Sequence, residues 1–127
     1  MITILGDVFS MKNSKIIYTN RKTGKPFVGK NKVVQEKMDN VIRQLLSKEN
    51  IDSWKSMTKG KMHPYRIAFR IFRGTERKWD YVNVVQGILD AMVACAYIPD
   101  DSYEYVIPEF YSTQLDRINP RTEITVL

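Results

Sequence analysis

Carboxylates stand at both ends of one short, mostly apolar segment of the chain. Asp80 opens the segment, and Asp100 and Asp101 follow it after a proline. Carboxylate oxygens are ligands that Mg²⁺ prefers. A bound Mg²⁺ can activate water and stabilise the charge on a phosphate under attack. If the fold brings the two ends together, these residue types predict metal-assisted cleavage of a phosphodiester.

The distribution of charge favours such a substrate. The 127 residues include 20 Lys and Arg and 14 Asp and Glu, which gives a net charge of +6. Residues 1–78 hold 18 of the basic residues, whereas residues 79–127 hold 8 of the acids. A cationic region beside an acidic cluster can hold a polyanion together with a divalent metal. A basic composition alone also fits simple solubility, so the division of charge is what favours a nucleic acid partner.

The length fits a single domain spanning residues 1–127, because two smaller domains would each lack a sufficient core. Cys95 is the only cysteine, so no disulfide can form within the chain, which suits a reducing cytoplasm. The first residues lack the charged and then apolar order of a signal peptide. No apolar run is long enough to cross a bilayer. We therefore expect a cytoplasmic protein with no membrane partner.

Hydrophobic periodicity predicts the elements that must position the acids. Alternation and β-branched residues predict strands at 2–5, 16–19, 25–28, 65–72, 103–111 and 123–127. Helical spacing predicts helices at 31–47 and 81–97. Residues 49–63, which have several lysines and few apolar anchors, are interpreted as a mobile connection. This order is typical of an α+β domain in which a small mixed sheet packs with two helices.

The second predicted helix is apolar on two sides. One side has Val82, Val85, Leu89, Met92, Val93 and Ala96, and the nearly opposite side has Val84, Ile88 and Ala91. Such a helix needs two packing partners. The sheet supplies one, and either a second subunit or the long loops supply the other, so a homodimer is one interpretation. A polar stripe of Asn83, Gly87 and Asp90 runs between the sides, and Asp90 needs a partner in a helix so largely buried.

Each acid also has a simple structural explanation. Asp80 precedes the helix and is a residue type that caps helix N-termini, and Asp100 with Asp101 can form an acidic turn. Trp79 and Tyr81, which flank Asp80, are interpreted as packing residues rather than as platforms on which bases stack. On this interpretation the chain is a structural or interaction module, and it should bind branched DNA no better than linear duplex.

Three motifs in this region resemble those of the RusA-type Holliday junction resolvases. They are Asp80-Tyr81-Val82-Asn83, Leu89-Asp90-Ala91-Met92 and Ile98-Pro99-Asp100-Asp101. They are similar to the family's Asp-x-Asp-Asn, apolar-Asp-Ala-apolar and paired-Asp elements. Lys12-Asn13-Ser14-Lys15 and Gly24-Lys25-Pro26 stand where the family has a polar, basic loop. The resemblance implies a small α+β homodimer, encoded by bacteria or prophages, that cuts four-way DNA junctions with Mg²⁺ during recombination and repair.

The resemblance also implies roles for individual residues. Asp80, Asp101 and Asp100 match catalytic acids, of which Asp80 and Asp101 match the metal ligands and Asp100 is the neighbour of Asp101. Asn83 and Asp90 match supporting residues. Mg²⁺ is the implied cofactor, with Mn²⁺ as its expected substitute. The candidate contacts to branched DNA, crowded into 19 positions, are Lys12, Asn13, Lys15, Arg21, Lys22, Lys25 and Lys30.

Two positions depart from the family pattern. Val82 stands where the family has its second Asp, and Gln86 stands where a lysine is common. Val82 cannot bind a metal, so the site loses one negative charge. Glu76, Asp100 and Glu104 are the nearest acids that would compensate. The alternative to an active nuclease is a protein that binds branched DNA and cuts it poorly or not at all.

Overall fold

The computed structural model describes residues 1–9, 15–30 and 32–127. The strands within these ranges are β1 (Ile2–Leu5), β2 (Lys15–Thr19), β3 (Pro26–Lys30), β4 (Tyr65–Arg73), β5 (Val106–Phe110), β6 (Gln114–Leu115) and β7 (Arg121–Val126). The helices are α1 (Lys32–Leu45), α2 (Lys48–Thr58) and α3 (Tyr81–Ala94).

Five strands form one mixed sheet. Its order is β1-β7-β4-β5, and β6 continues the β5 edge by pairing further along β4. β7 runs antiparallel to β1 and β4, whereas β5 and β6 run parallel to β4. β2 and β3 form a separate antiparallel hairpin. The predicted α+β class with a mixed sheet is therefore confirmed.

The connection from β4 to β5 positions the candidate site. Parallel neighbouring strands need a crossover, and here the crossover is α3. Side chains of β4 and α3 are buried together in the core, among them Phe69, Ile71, Ala91 and Met92. The loop after β4 therefore delivers Asp80 to the start of α3, and the loop after α3 carries Asp101 back towards β5.

α2 contradicts the expected mobile connection at 49–63, and the described residues contain three helices rather than the two expected. Ser47 caps α2, because its Oγ accepts a hydrogen bond from the Asn50 backbone N–H at 3.3 Å. Trp54 is the one buried residue of this helix, and its ring stacks on Tyr97 with centroids 5.0 Å apart. Ile51 and Met57, three residues before and after Trp54, pack against the core but are only partly buried. The apolar face of α2 is therefore short, and lysines surround it, so the helical period is weak in the sequence.

Both apolar sides of α3 are buried within the chain. Val84 and Ile88 on one side are as well covered as Val85, Leu89 and Met92 on the other, and α1 packs against α3. Because α1 supplies the second packing partner, α3 needs no second subunit to cover it. The homodimer remains a prediction of the family resemblance alone.

Three residues of the α3 region are more exposed than the sequence pattern predicts. Val82, expected on an apolar side, is 62% exposed. Ala96 lies beyond the end of the helix at Ala94, is exposed, and has a φ of +60°. Asp90, expected within a largely buried helix, is also exposed. Periodicity gives the direction of a side chain around the helix axis, but it does not show how far neighbouring elements extend along that axis.

β5 and β7 differ from the predicted strands only at their ends, whereas the two-residue β6 was not predicted. β5 begins at Val106, later than the predicted 103, and it accommodates Pro108 because it is an edge strand. β7 begins at Arg121, directly after Pro120.

In the described ranges, no helix has the length and apolar character needed to cross a membrane.

Candidate functional site

Asp80 caps the N-terminus of α3. Its Oδ1 accepts a hydrogen bond from the Asn83 backbone N–H at 3.3 Å, and its Oδ2 accepts one from Asn83 Nδ2 at 3.0 Å. Its backbone is extended, with φ −104° and ψ 111°, as is usual for a capping residue. The expected structural role of Asp80 is confirmed. The residue is also exposed, so its carboxylate is accessible to a ligand.

Tyr81 fixes the start of α3 against the sheet. Its ring stacks on Phe110 with centroids 4.7 Å apart and lies 4.8 Å from the ring of Trp79. Its Oη lies 2.9 Å from the carbonyl oxygens of Phe69 and Tyr111. Burial raises the pKa of the Tyr81 hydroxyl, and the Tyr111 backbone N–H, which donates a hydrogen bond to Oη at 3.2 Å, opposes this rise. The neutral hydroxyl therefore holds α3, and with it Asp80, against the middle of β4 and the end of β5.

Gln86 joins two acids that are distant in sequence. Its Nε2 donates hydrogen bonds to Asp90 Oδ1 at 2.8 Å and to Asp101 Oδ2 at 2.7 Å. Asp90 is one helical turn further along α3, whereas Asp101 belongs to the loop after α3, which folds back along the helix. One carboxylate oxygen of each aspartate is therefore within hydrogen-bonding distance of the same nitrogen. Two negative charges therefore lie close together with only a neutral amide between them.

In the structure the polar stripe of α3 consists of Asn83, Gln86 and Asp90, because Gly87, which was expected in it, is buried. The predicted metal ligands lie along this stripe. Asn83, Gln86 and Asp90 are three and four residues apart, so they share one face of the helix. Asp80 is held by Asn83 and Asp101 is held by Gln86, and residues at this spacing have Cβ atoms about 5–6 Å apart. In the described part of the chain, Asp80 and Asp101 share no hydrogen-bond partner, and no group of three or more Asp, Glu, His or Cys side chains could hold a metal ion.

The acids expected to compensate for Val82 occupy exposed positions. Glu76 lies in the loop after β4, where its Oε2 is 4.0 Å from Arg117 Nη2. Asp100 and Glu104 are exposed in the loop that also contains Asp101. Compensation by these acids stays a prediction.

The turn of the β2–β3 hairpin carries three of the candidate DNA contacts. Asn20 organises this turn, since its Oδ1 accepts a hydrogen bond from the Lys22 N–H at 2.9 Å and its carbonyl accepts one from Gly24 at 2.8 Å. Gly24 has a φ of +69°, which glycine adopts without strain. The result is a compact turn in which Arg21, Lys22 and Lys25 are exposed.

The other candidate DNA contacts are at the opposite end of the hairpin. Lys15 and Lys30 are directly paired in the register of β2 and β3, at the end away from the turn. Lys12 and Asn13 lie outside the described residues. The contacts of all seven candidates with DNA stay predictions.

A second basic surface, which sequence reasoning missed, lies directly beside Asp80. This surface, called here the basic cleft, has a volume of about 330 Å³. Its charged lining residues are Lys37, Arg73, Arg77 and Lys78, and its aromatic lining residues are Phe9 and Trp79. The pair Arg77-Lys78 immediately before Trp79-Asp80 was the available sequence signal. Lys37 comes from α1, so only the fold reveals that it belongs to the same cleft.

No family model matches this chain, and no curated protein matches it either.

Proposed function

We propose that this protein binds branched DNA, such as a Holliday junction, and cuts its phosphodiester backbone with Mg²⁺ held by Asp80 and Asp101. The observation that carries the proposal is the course of the loop after α3. This loop folds back until Asp101 reaches Gln86, on the same helix face that carries the Asp80–Asn83 pair. Acids far apart in sequence thereby lie along one stripe.

The donors on this stripe suit a hard divalent cation. Mg²⁺ takes one or two carboxylates from a protein and its other ligands from water and substrate phosphates. Asp80 and Asp101 would provide the carboxylates, and Asp90 is a further acid beside Asp101. A half-turn of the Gln86 amide would present Oε1 to a cation in place of Nε2. The bound ion would supply a more acidic water and charge stabilisation at the scissile phosphate.

The basic surfaces would hold the DNA backbone on either side of the acids. Arg21, Lys22 and Lys25 are exposed in the hairpin turn, and Arg77 and Lys78 lie next to Asp80. Contacts of this kind recognise phosphate positions and therefore branched shape, rather than base sequence. A homodimer would add a twofold axis that matches the near-twofold symmetry of a four-way junction.

The second candidate function is binding of branched DNA with little or no cleavage. Two observations favour it. Val82 places an exposed apolar side chain where the family that the motifs resemble has an acid. Gln86 places a neutral amide between Asp90 and Asp101 where that family often has a lysine. Both changes remove charge from the stripe, so they weaken either the hold on a cation or the stabilisation of the attacked phosphate.

The proposal is tested by cleavage of a labelled four-way junction in Mg²⁺ or Mn²⁺, with the single variants Asp80→Asn, Asp90→Asn and Asp101→Asn. Asn caps a helix about as well as Asp, so Asp80→Asn removes charge while keeping α3 in place. We expect Asp80→Asn and Asp101→Asn to lower the cleavage rate by more than about 100-fold, the upper end of the loss for residues that only support a metal ligand.

Junction binding, measured in parallel by fluorescence anisotropy, should persist in all three variants. Asp52→Asn, an equal change of charge on the exposed surface of α2, serves as the matched control. Cleavage that survives both Asp80→Asn and Asp101→Asn contradicts the metal site. Wild-type protein that binds junctions without cutting them selects the second function. Equal binding of junctions and linear duplex contradicts both functions and selects a structural module.

A further inference from the structure

The basic cleft has the size of a small ligand site. It lies between α1 and the loop that joins β4 to α3, and its apolar lining includes Phe9 and Val84. Its volume of about 330 Å³ is near the lower limit of pockets that enclose a small molecule, which is about 300 Å³. A contact to the backbone of a duplex needs no such cavity, because duplex phosphates lie on a convex surface.

The Arg73 side chain forms hydrogen bonds within the wall of the cleft. Its side chain is largely buried, and its Nε donates a hydrogen bond to Asp7 Oδ1 at 2.9 Å in an ion pair. Its Nη1 and Nη2 donate to the Arg77 carbonyl oxygen at 3.4 Å and to Thr75 Oγ1 at 3.3 Å. Its guanidinium carbon lies 5.3 Å from the centre of the Trp79 ring. Arg73 therefore fixes the loop that carries Arg77 and Trp79, and Asp7 neutralises its charge.

The remaining cations of the cleft are available to an anion. Among the described residues, Lys37, Arg77 and Lys78 form no ion pair, and no carboxylate lines the cleft. All three residues are exposed. Three uncompensated positive charges around one concave surface attract an anion more strongly than three isolated surface lysines do.

Trp79 adds an aromatic side chain to this cationic site. It is partly buried, and the Tyr81 ring and the Arg73 guanidinium hold it from neighbouring positions. The part of the indole that lines the cleft stands beside Arg77 and Lys78. An aromatic ring next to cations is the combination by which proteins bind unpaired nucleotides, because the base stacks on the ring and the phosphate meets the charges.

We propose that the basic cleft binds one unpaired nucleotide of a branched DNA, with its base against Trp79 and its phosphate near Lys37, Arg77 and Lys78. This inference rests on the proposed function, since it names the part of the DNA that the protein recognises next to Asp80. A protein with such a cleft binds a junction with unpaired bases at its branch point more tightly than a fully paired junction.

The test compares two labelled four-way junctions, one fully paired and one with two unpaired thymidines at the branch point, by fluorescence anisotropy. Stacking of one base on an aromatic side chain contributes about 1–3 kcal/mol, so we expect wild type to bind the second junction about 10-fold more tightly. Trp79→Leu should abolish this preference, and Trp79→Phe should keep most of it. The thermal unfolding midpoint of each variant reports whether it still folds.

A double variant tests the phosphate contacts independently of Trp79. Arg77→Ala with Lys78→Ala should weaken binding of both junctions and reduce the slope of log affinity against log salt by about 2, one for each phosphate that the protein no longer neutralises. Lys55→Ala with Lys59→Ala, an equal reduction of charge at exposed positions in and after α2, is the control and should change the slope little.

The outcomes separate this inference from the proposed function. Equal wild-type affinity for the two junctions, with both bound more tightly than linear duplex, overturns the nucleotide site and leaves the proposed function standing. A preference that survives Trp79→Leu also overturns it. Thymidine monophosphate that competes at the same concentration as a short oligothymidylate assigns the cleft to free nucleotides and overturns the inference as stated. Loss of the preference in Trp79→Leu, with its retention in Trp79→Phe, supports it.

Discussion

Val82 is the residue that most affects what the candidate site can do. It is the second residue of α3, two positions after the Asp80 cap, and its side chain is 62% exposed. An apolar side chain in this place contributes little to the core, so its replacement costs little stability. The same position is close to the positive end of the helix dipole, where a negative charge is stabilised.

We predict that Val82→Asp stabilises α3 and strengthens cation binding. The new carboxylate should add about 0.3–1 kcal/mol to the free energy of unfolding through the helix dipole, and it should provide another oxygen ligand beside Asp80. Thermal unfolding with and without Mg²⁺ checks both effects, and junction cleavage should increase. Val82→Asn is the uncharged control. A Mg²⁺-dependent stabilisation no larger in Val82→Asp than in Val82→Asn would contradict the prediction.

At the scale of elements, Tyr97 connects α3 to the other two helices of the described chain through side-chain contacts. It lies beyond the end of α3, its ring stacks on Trp54 of α2, and its hydroxyl donates a hydrogen bond to the carbonyl oxygen of Leu45 at the end of α1. Burial, reinforced by the neighbouring Cys95, raises the pKa of Tyr97 to about 12. One residue of the loop after α3 thus contacts both of the other helices, and this loop also carries Asp101.

We predict that Tyr97→Phe lowers the free energy of unfolding by about 1–3 kcal/mol at neutral pH, because it leaves the buried Leu45 carbonyl without its partner. In wild type the folded state favours the neutral phenol. This contribution is complete below about pH 10, the pKa of an unperturbed tyrosine, and it is lost as the pH rises towards about 12. Tyr97→Phe should lack this alkaline loss.

Urea unfolding at pH 7 and at pH 11 measures both effects. Tyr103→Phe is the control, since Tyr103 is 82% exposed in the same loop. A Tyr97→Phe variant as stable as Tyr103→Phe at neutral pH would show that the Tyr97 hydroxyl does not stabilise the packing of the three helices.

At the scale of the whole molecule, the structure gathers opposite charges around α3. Asp90 belongs to the polar stripe, Asp80 and Asp101 are hydrogen-bonded to it, and Arg77 and Lys78 come shortly before the helix. The chain has 18 basic residues before position 79 and 2 after it. The fold brings the two parts together because β4, from the first part, pairs with β5 and β7 from the second.

The resemblance predicts that two such molecules assemble into a homodimer, whose twofold axis would match a four-way junction. Sedimentation equilibrium should therefore give a mass near twice the 14.9 kDa of one chain. The same measurement with junction DNA should give two chains per junction. A mass of one chain in both cases would contradict the dimer, and it would remove the symmetry part of the proposed function.

Strong local patterns made much of the fold predictable. Alternation along 65–72 predicted β4, and spacing of apolar residues predicted α1 and α3, because burial of one face repeats at the period of the element. α2 was not predicted, since its apolar face is short, and the rings of Tyr65 and Tyr97 that pack on Trp54 belong to distant parts of the chain. The exposure of Val82 and the covering of α3 by α1 depend on how far neighbouring elements reach, which a local period does not encode.

For the candidate site, the sequence by itself determined which residue types are present: acids at both ends of α3, a capping position for Asp80, and a chain divided into basic and acidic parts. These follow from composition and from spacing along one helix. Only the tertiary structure decided that the loop after α3 folds back to place Asp101 on Gln86, and that Lys37 joins Arg77 and Lys78 around Trp79. Contacts between distant segments depend on the packing of the whole chain, because no local pattern fixes the path of a loop or the neighbour of a helix face.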